Sequence, residues 1–120
     1  MRLLAIVIAC LACAPALADT YPVSGRWGQS TSAEKAPIDC GNKRVIEFNG
    51  SQRSDSNGGV PGYRNKSVTA NGGGQWRVVD LFTTGQIRNG SVSYTLRQVD
   101  ADHLELAMHP GGLLKLQRCK

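Results

Sequence analysis

Residues 91–119 read SVSYTLRQVDADHLELAMHPGGLLKLQRC, and this stretch decides the fold. Val92, Tyr94 and Leu96 alternate with Ser93, Thr95 and Arg97. Leu104, Leu106 and Met108 alternate with His103, Glu105, Ala107 and His109, and Leu114 and Leu116 share a face with Arg118. A period of two with one apolar side is the pattern of a strand that packs inward on one face and meets water on the other. Asp100-Ala101-Asp102 and Gly111-Gly112 leave room only for tight reversals, so consecutive strands are antiparallel neighbours.

The same grammar extends upstream. Strands are expected at about 24–29, 43–48, 66–70, 75–83, 91–99, 103–109 and 113–119, with a short extra one at 51–55. Asn49-Gly50, Asn71-Gly72-Gly73-Gly74 and Asn89-Gly90 supply turn chemistry between them. No segment holds helical periodicity over three turns. The chain is therefore predicted to be all-β, with seven to eight meandering strands. Closing such a sheet removes its edges, so a small antiparallel up-and-down β-barrel is expected, the alternative being a two-sheet β-sandwich. Trp27, Ile46, Phe48, Phe82, Tyr94, Leu96, Leu104, Leu106, Met108, Leu114 and Leu116 are the expected filling. The strand at Trp76 is ambiguous, because Trp76, Val78 and Phe82 compete with Val79 and Leu81 for the interior.

The N-terminus carries an address. Met1-Arg2 is followed by an apolar run over 3–13 and by Pro15-Ala16-Leu17-Ala18. Residues 1–18 are expected to be a secretory signal peptide cleaved after Ala18, leaving a single domain over 19–120 in the periplasm or secreted. The run is too short for a transmembrane segment. Cys10 and Cys13 leave with the signal; the alternative is a lipoprotein in which Cys10 is the lipid anchor. Cys40 and Cys119 remain, and two thiols in an exported chain allow one disulfide.

Without Arg2 the chain has thirteen Lys and Arg against nine Asp and Glu, a net charge of +4. The cations are scattered singly, which reads as a solvated basic surface or as attraction to an anionic glycan or lipid. Nucleic acid is not expected, because no aromatic-basic platform is visible. Catalytic and cofactor chemistry are not expected either. His103 and His109 lie about 20 Å apart along an extended strand, beyond the reach of one ion. No serine sits in a nucleophile elbow, and no glycine run leads into a helix that could cradle phosphate. Asp80 lies among Val78, Val79, Leu81 and Phe82, so it needs either an outward face or a buried partner, with Arg77 or Arg97 nearby. The segment 53–64 is rich in Ser, Asn and Gly and forms the candidate recognition loop, with Arg53, Asp55, Asn57, Tyr63 and Arg64 as its chemically distinctive side chains. Residues 30–37 and 19–23 are further surface segments.

Gly25-Arg26-Trp27 opens the first expected strand, and this G-x-W triplet resembles the signature of the lipocalin and calycin barrels. The resemblance implies that Trp27 plugs the closed end of the barrel and that Arg118, from the last strand, packs across its ring. It further implies either a carrier of a small apolar ligand or, by size, an inhibitor of a secreted protease. No segment matches the inhibitory stretch of such inhibitors. The expectation is a non-enzymatic, monomeric binding protein of the bacterial cell envelope that recognises a partner through its surface loops.

Overall fold

The described residues form eight antiparallel strands, and the eighth pairs with the first to close a barrel. The computed structural model describes residues 20–120; the expected signal segment over 1–18, with the alternative anchor Cys10, lies outside the described residues. The strands are β1 (Gly25–Gln29), β2 (Val45–Asn49), β3 (Gln52–Asp55), β4 (Tyr63–Gly72), β5 (Gln75–Phe82), β6 (Gly90–Asp100), β7 (His103–His109) and β8 (Leu113–Arg118). Each pairs with its sequence neighbours, and the ring closes where Trp27 faces Arg118 and Gln29 faces Leu116. Closure disposes of the sandwich. The short strand after Asn49-Gly50 forms as β3, and β4 starts at Tyr63 rather than Lys66 because Tyr63 and Arg64 pair with Arg53 and Gln52.

The apolar face fills the interior. Trp27, Ile46, Phe48, Val78, Tyr94, Leu96, Leu104, Leu106, Leu114 and Leu116 are buried, and each large side chain taken from water contributes about 1.5–3 kcal/mol. Met108 packs against this core only in part, and Phe82 stays half-exposed at the rim. β5 is resolved in favour of its even residues. Trp76, Val78, Asp80 and Phe82 stand opposite Leu96, Tyr94, Val92 and Gly90, while Val79 and Leu81 face outward. Asp80 can share the inward register because its charge is met there, as described below. At the end where β1 begins, the N-terminal lead folds in: Tyr21 and Val23 are buried, and the Tyr21 ring meets Phe48 edge-on at 5.0 Å.

Residues 30–40 do not hang free. They run as a strap across the outside of β7 and β8, fixed by Gln117, which is outward-facing yet 0% exposed. Its Nε2 donates to the carbonyls of Glu34 (2.8 Å) and Ala36 (2.7 Å), and its Oε1 accepts from the Ser30 hydroxyl at 2.8 Å. Cys40 is bonded to Cys119, with Cα atoms 5.6 Å apart. Gly28 makes room for that bridge: a Cβ there would lie 2.5 Å from Cys40 Sγ.

A candidate binding site at the loop end of the barrel

The two ends of the barrel differ in chemistry. At the end where β1 starts, Trp27 is wholly buried and its indole Nε1 donates to the Ser24 carbonyl at 3.0 Å. The Arg118 guanidinium lies 4.4 Å from the ring centroid and donates through Nε and Nη2 to the Ala101 carbonyl. Gly25, with φ of +92°, turns the chain from the lead into β1. Gly25, Trp27 and Arg118 thus meet at one barrel end. A cleft of ≈ 350 Å³ lies beside them, lined in part by Pro22, Gly50 and Gln98.

The opposite end is carried by residues 56–62 between β3 and β4 and 83–89 between β5 and β6. Below this rim the interior is polar. Arg53 is 3% exposed and Asp80 0%. Arg53 Nε donates to Asp80 Oδ2 at 2.8 Å, the Tyr94 hydroxyl donates to the same oxygen at 2.8 Å, and Asn65 Nδ2 reaches Asp80 Oδ1 at 3.1 Å. Arg53 therefore supplies the partner that Asp80 needs. Arg77 and Arg97 do not, because both stand in the outward register, opposite Thr95 and Gln75. Asn65 reaches Asp80 because β4 carries a bulge between Asn65 and Ser67. The same Nδ2 also lies 3.1 Å from the Ser67 carbonyl and 3.2 Å from that of Val79. Bulges often re-aim a side chain next to a site in this way.

Aromatic rings close the cluster on the rim side. The Arg53 guanidinium lies 3.9 Å from the Tyr63 ring centroid and 5.1 Å from that of Tyr94. Phe82 meets Tyr63 edge-on at 5.7 Å. Gly90 makes this possible, since a Cβ there would lie 2.5 Å from Phe82 Cζ. Burial pushes the Tyr94 and Tyr21 hydroxyls far above the usual phenol range, and the nearby Asp80 charge adds to the shift in both. For Arg53, burial opposes the charge, but Tyr94 and Asp80 outweigh it and hold the guanidinium protonated. Three buried atoms of this neighbourhood, Tyr21 Oη, Arg53 Nη2 and Asn65 Oδ1, have no hydrogen-bond partner among the described residues.

Beside the rings is an open cleft of ≈ 520 Å³ at the rim of the wall; Tyr63 and Phe82 line it from the inward register, Gln52, Arg64 and Leu81 from the outward register, and Pro61 and Asn89 from the loops. The five side chains singled out in the segment 53–64 therefore sit in different places. Arg53 is inside the barrel, contrary to its assignment to a surface loop, because the inward register and the Asp80 charge take it there. Asp55 ends β3 in a two-point ion pair with Arg44, at 3.0 and 2.7 Å. Asn57 is exposed, Tyr63 closes the interior, and Arg64 lies on the cleft. The loop proper is residues 56–62. Phe82, Gln52 and Asn89 join the site although sequence reasoning did not assign them to it; the Asn89-Gly90 turn was the only signal, and it spoke of chain reversal.

His103 and His109 occupy opposite ends of β7. The His103 Nδ1 is 2.8 Å from Asp100 Oδ1 and its Nε2 is 3.0 Å from the Ser32 carbonyl. Among the described residues no group of three His, Cys, Asp or Glu is placed to hold a metal ion, and no helix is long and apolar enough to cross a membrane. No family model, curated protein or solved structure matches the chain.

Proposed function

We propose that this chain is an exported, non-enzymatic binding protein of the bacterial cell envelope that recognises a partner at the loop end of its barrel. The observation that carries this reading is the contrast across the Tyr63 and Phe82 rings. Below them the interior is occupied by the chain's own Arg53, Asp80, Tyr94 and Asn65. Beside them an open cleft of ≈ 520 Å³ combines aromatic edges with an Arg and two amides. Aromatic surface with a few placed polar groups is what binding sites offer, and loops on a rigid scaffold are where recognition concentrates. Export is supported by the N-terminal pattern of residues 1–18 and by the Cys40–Cys119 bridge, of a kind that is common in oxidising compartments and rare in the cytosol.

A calycin-type carrier is the second reading, favoured by the packing of Arg118 on Trp27 beside Gly25. The two readings part on a titration. The chain lacking residues 1–18 should show no saturable one-to-one binding of a fluorescent fatty acid; micromolar saturation would promote the carrier. For the loop-end reading, a partner captured from envelope extract should be lost when residues 56–62 are replaced by a short Gly-Ser connection in a variant that still unfolds cooperatively. Retention of that partner by the loop variant would refute it.

A further inference from the structure

The surplus of positive charge is not spread over the barrel. Residues 56–99 carry Arg64, Lys66, Arg77, Arg88 and Arg97 against Asp80 alone, and Asp80 is buried and paired with Arg53. With those two neutralising each other, residues 20–55 and 100–120 present seven cations and seven acids. Pairs such as Arg44 with Asp55 and Arg118 with Asp102 keep that part of the surface locally balanced. The whole excess falls on β4, β5, β6 and the 83–89 loop.

The register turns the excess into a track. Arg64 stands opposite Leu81, Arg77 opposite Thr69 and Thr95, and Arg97 opposite Gln75, so all three project from the outer face. Lys66, at the bulge, is exposed as well. From the level of Leu81 to that of Gln75 is six residues of β5, about 20 Å, and β4 to β6 is two strand spacings, about 10 Å. The cations therefore run diagonally across three strands. Between them the outer face offers hydroxyls, Ser67, Thr69, Ser91, Ser93 and Thr95, and no carboxylate. Among the described residues Arg64, Lys66, Arg77 and Arg88 make no ion pair; Arg97 alone meets Glu105, at 3.1 Å with its side chain 48% exposed.

We propose that this outer face of β4–β6 docks a linear acidic polysaccharide. Guanidinium forks and ammonium groups meet carboxylate or sulfate, and strand hydroxyls hydrogen-bond sugar hydroxyls along the line between them. The aromatic residues of these strands, Tyr63, Trp76, Phe82 and Tyr94, all stand in the inward register. The face therefore offers no ring on which a nucleic-acid base could stack. A bilayer is a poorer fit, because a plane touches the convex side of a small barrel along a narrow strip, and the two exposed apolar side chains near the track, Ile87 and Val99, stand singly at opposite ends of β6 rather than as a patch. A flexible chain can follow the diagonal.

The inference shares Arg64 with the loop-end cleft, and the test leaves that residue unchanged so that the two readings stay apart. The probe is a heparin oligosaccharide long enough to span the track, titrated at low and at physiological salt. Saturable binding that weakens with salt is expected. Lys66→Gln, Arg77→Gln and Arg97→Gln combined should weaken it about tenfold or more and flatten its salt dependence. Lys35→Gln, Lys43→Gln and Lys120→Gln combined remove the same charge from the balanced surface and should change affinity less than about threefold. The Gly-Ser replacement of residues 56–62 should leave heparin binding in place. Equal losses in the two triple variants, absence of saturable binding, or tighter binding to phosphatidylglycerol vesicles or single-stranded DNA would overturn the proposal. Thermal melts of both triple variants distinguish lost docking from lost fold.

Discussion

Asp80→Asn keeps the shape of the buried side chain and removes its charge, and the structure dictates where the cost falls. Asp80 Oδ2 accepts from Arg53 Nε and from the Tyr94 hydroxyl, both at 2.8 Å, while Oδ1 accepts from Asn65 Nδ2 at 3.1 Å. An asparagine can leave its oxygen toward Arg53 and Tyr94 only by turning its own NH2 onto that of Asn65. Asn65 could answer by flipping its unpartnered Oδ1 inward, but its Nδ2 would then abandon the Ser67 and Val79 carbonyls. Meanwhile the Arg53 charge stays 3% exposed without its counter-ion. Breaking a buried pair from one side costs about 3–5 kcal/mol; the contacts of the guanidinium with the Tyr63 and Tyr94 faces are already made with Asp80 in place, and the hydrogen bonds an asparagine oxygen can keep put the loss at the low end. A net loss near 3 kcal/mol is expected, a large part of the stability of a domain this size. It should lower Tm by more than about 12 °C. Arg53→Met should cost a similar amount by stranding Asp80. The double variant should lose at least about 2 kcal/mol less than the sum, because contacting residues couple. Urea unfolding of the disulfide-intact protein at constant m-value measures all three. A loss under about 1 kcal/mol for Asp80→Asn, or additive losses, would refute the account of the network.

Three further outcomes follow from the same structure. Unfolded but unreduced protein should show no thiol reactive to a label at Cys40 or Cys119, and reduction should cost up to about 4.5 kcal/mol, the chain-entropy figure for so long a loop; two labelled thiols would contradict this. Trp27→Ala and Arg118→Ala should be non-additive by about 0.5–3 kcal/mol in a thermal or urea cycle, since the guanidinium lies 4.4 Å from the ring centroid; additivity would show the contact to be idle. The hydrogen bond to Asp100 chiefly raises the His103 pKa, and the bond to His103 chiefly lowers that of Asp100. The His103 contribution is complete below the unfolded value near 6.5 and fades as pH rises through the higher folded value. That of Asp100 is present above about 4 and fades as pH falls through its lower folded value. Tm of the wild type should thus decline from pH 6 to 8 more than that of His103→Gln, and parallel profiles would exclude the pairing as the cause.

The strands were legible because their signal is local: in 91–119 every second residue states its own side of the sheet. The polar interior was half legible. Asp80 among Val78, Leu81 and Phe82 announced a need for a partner, but the nearby arginines expected to supply it, Arg77 and Arg97, are turned outward by the strand register. Arg53 could not be named from its surroundings, because Ser51-Gln52-Arg53-Ser54-Asp55 holds no apolar residue to mark a side. Its inward direction is fixed by pairing with Phe48 and Tyr63, contacts that exist only once the turn at Asn49-Gly50 and the loop 56–62 have closed. The basic face has the same character. The gap of 44 residues between Asp55 and Asp100 with one acid is plain in the sequence, but scattered cations become a track only when three strands align them. Both features share a physical cause: what a charge meets is decided by the register between strands, not by its neighbours in sequence. The asymmetry of the barrel sharpens the point. At the Trp27 end the one guanidinium, Arg118, lies outside the core on an indole face. Toward the loop end an ion pair and two polar side chains take positions where aliphatic residues of similar volume would be at least as stabilising. A fold under selection for stability alone has no reason to build its two ends so differently, and the polar end is the one beneath the loops and the cleft.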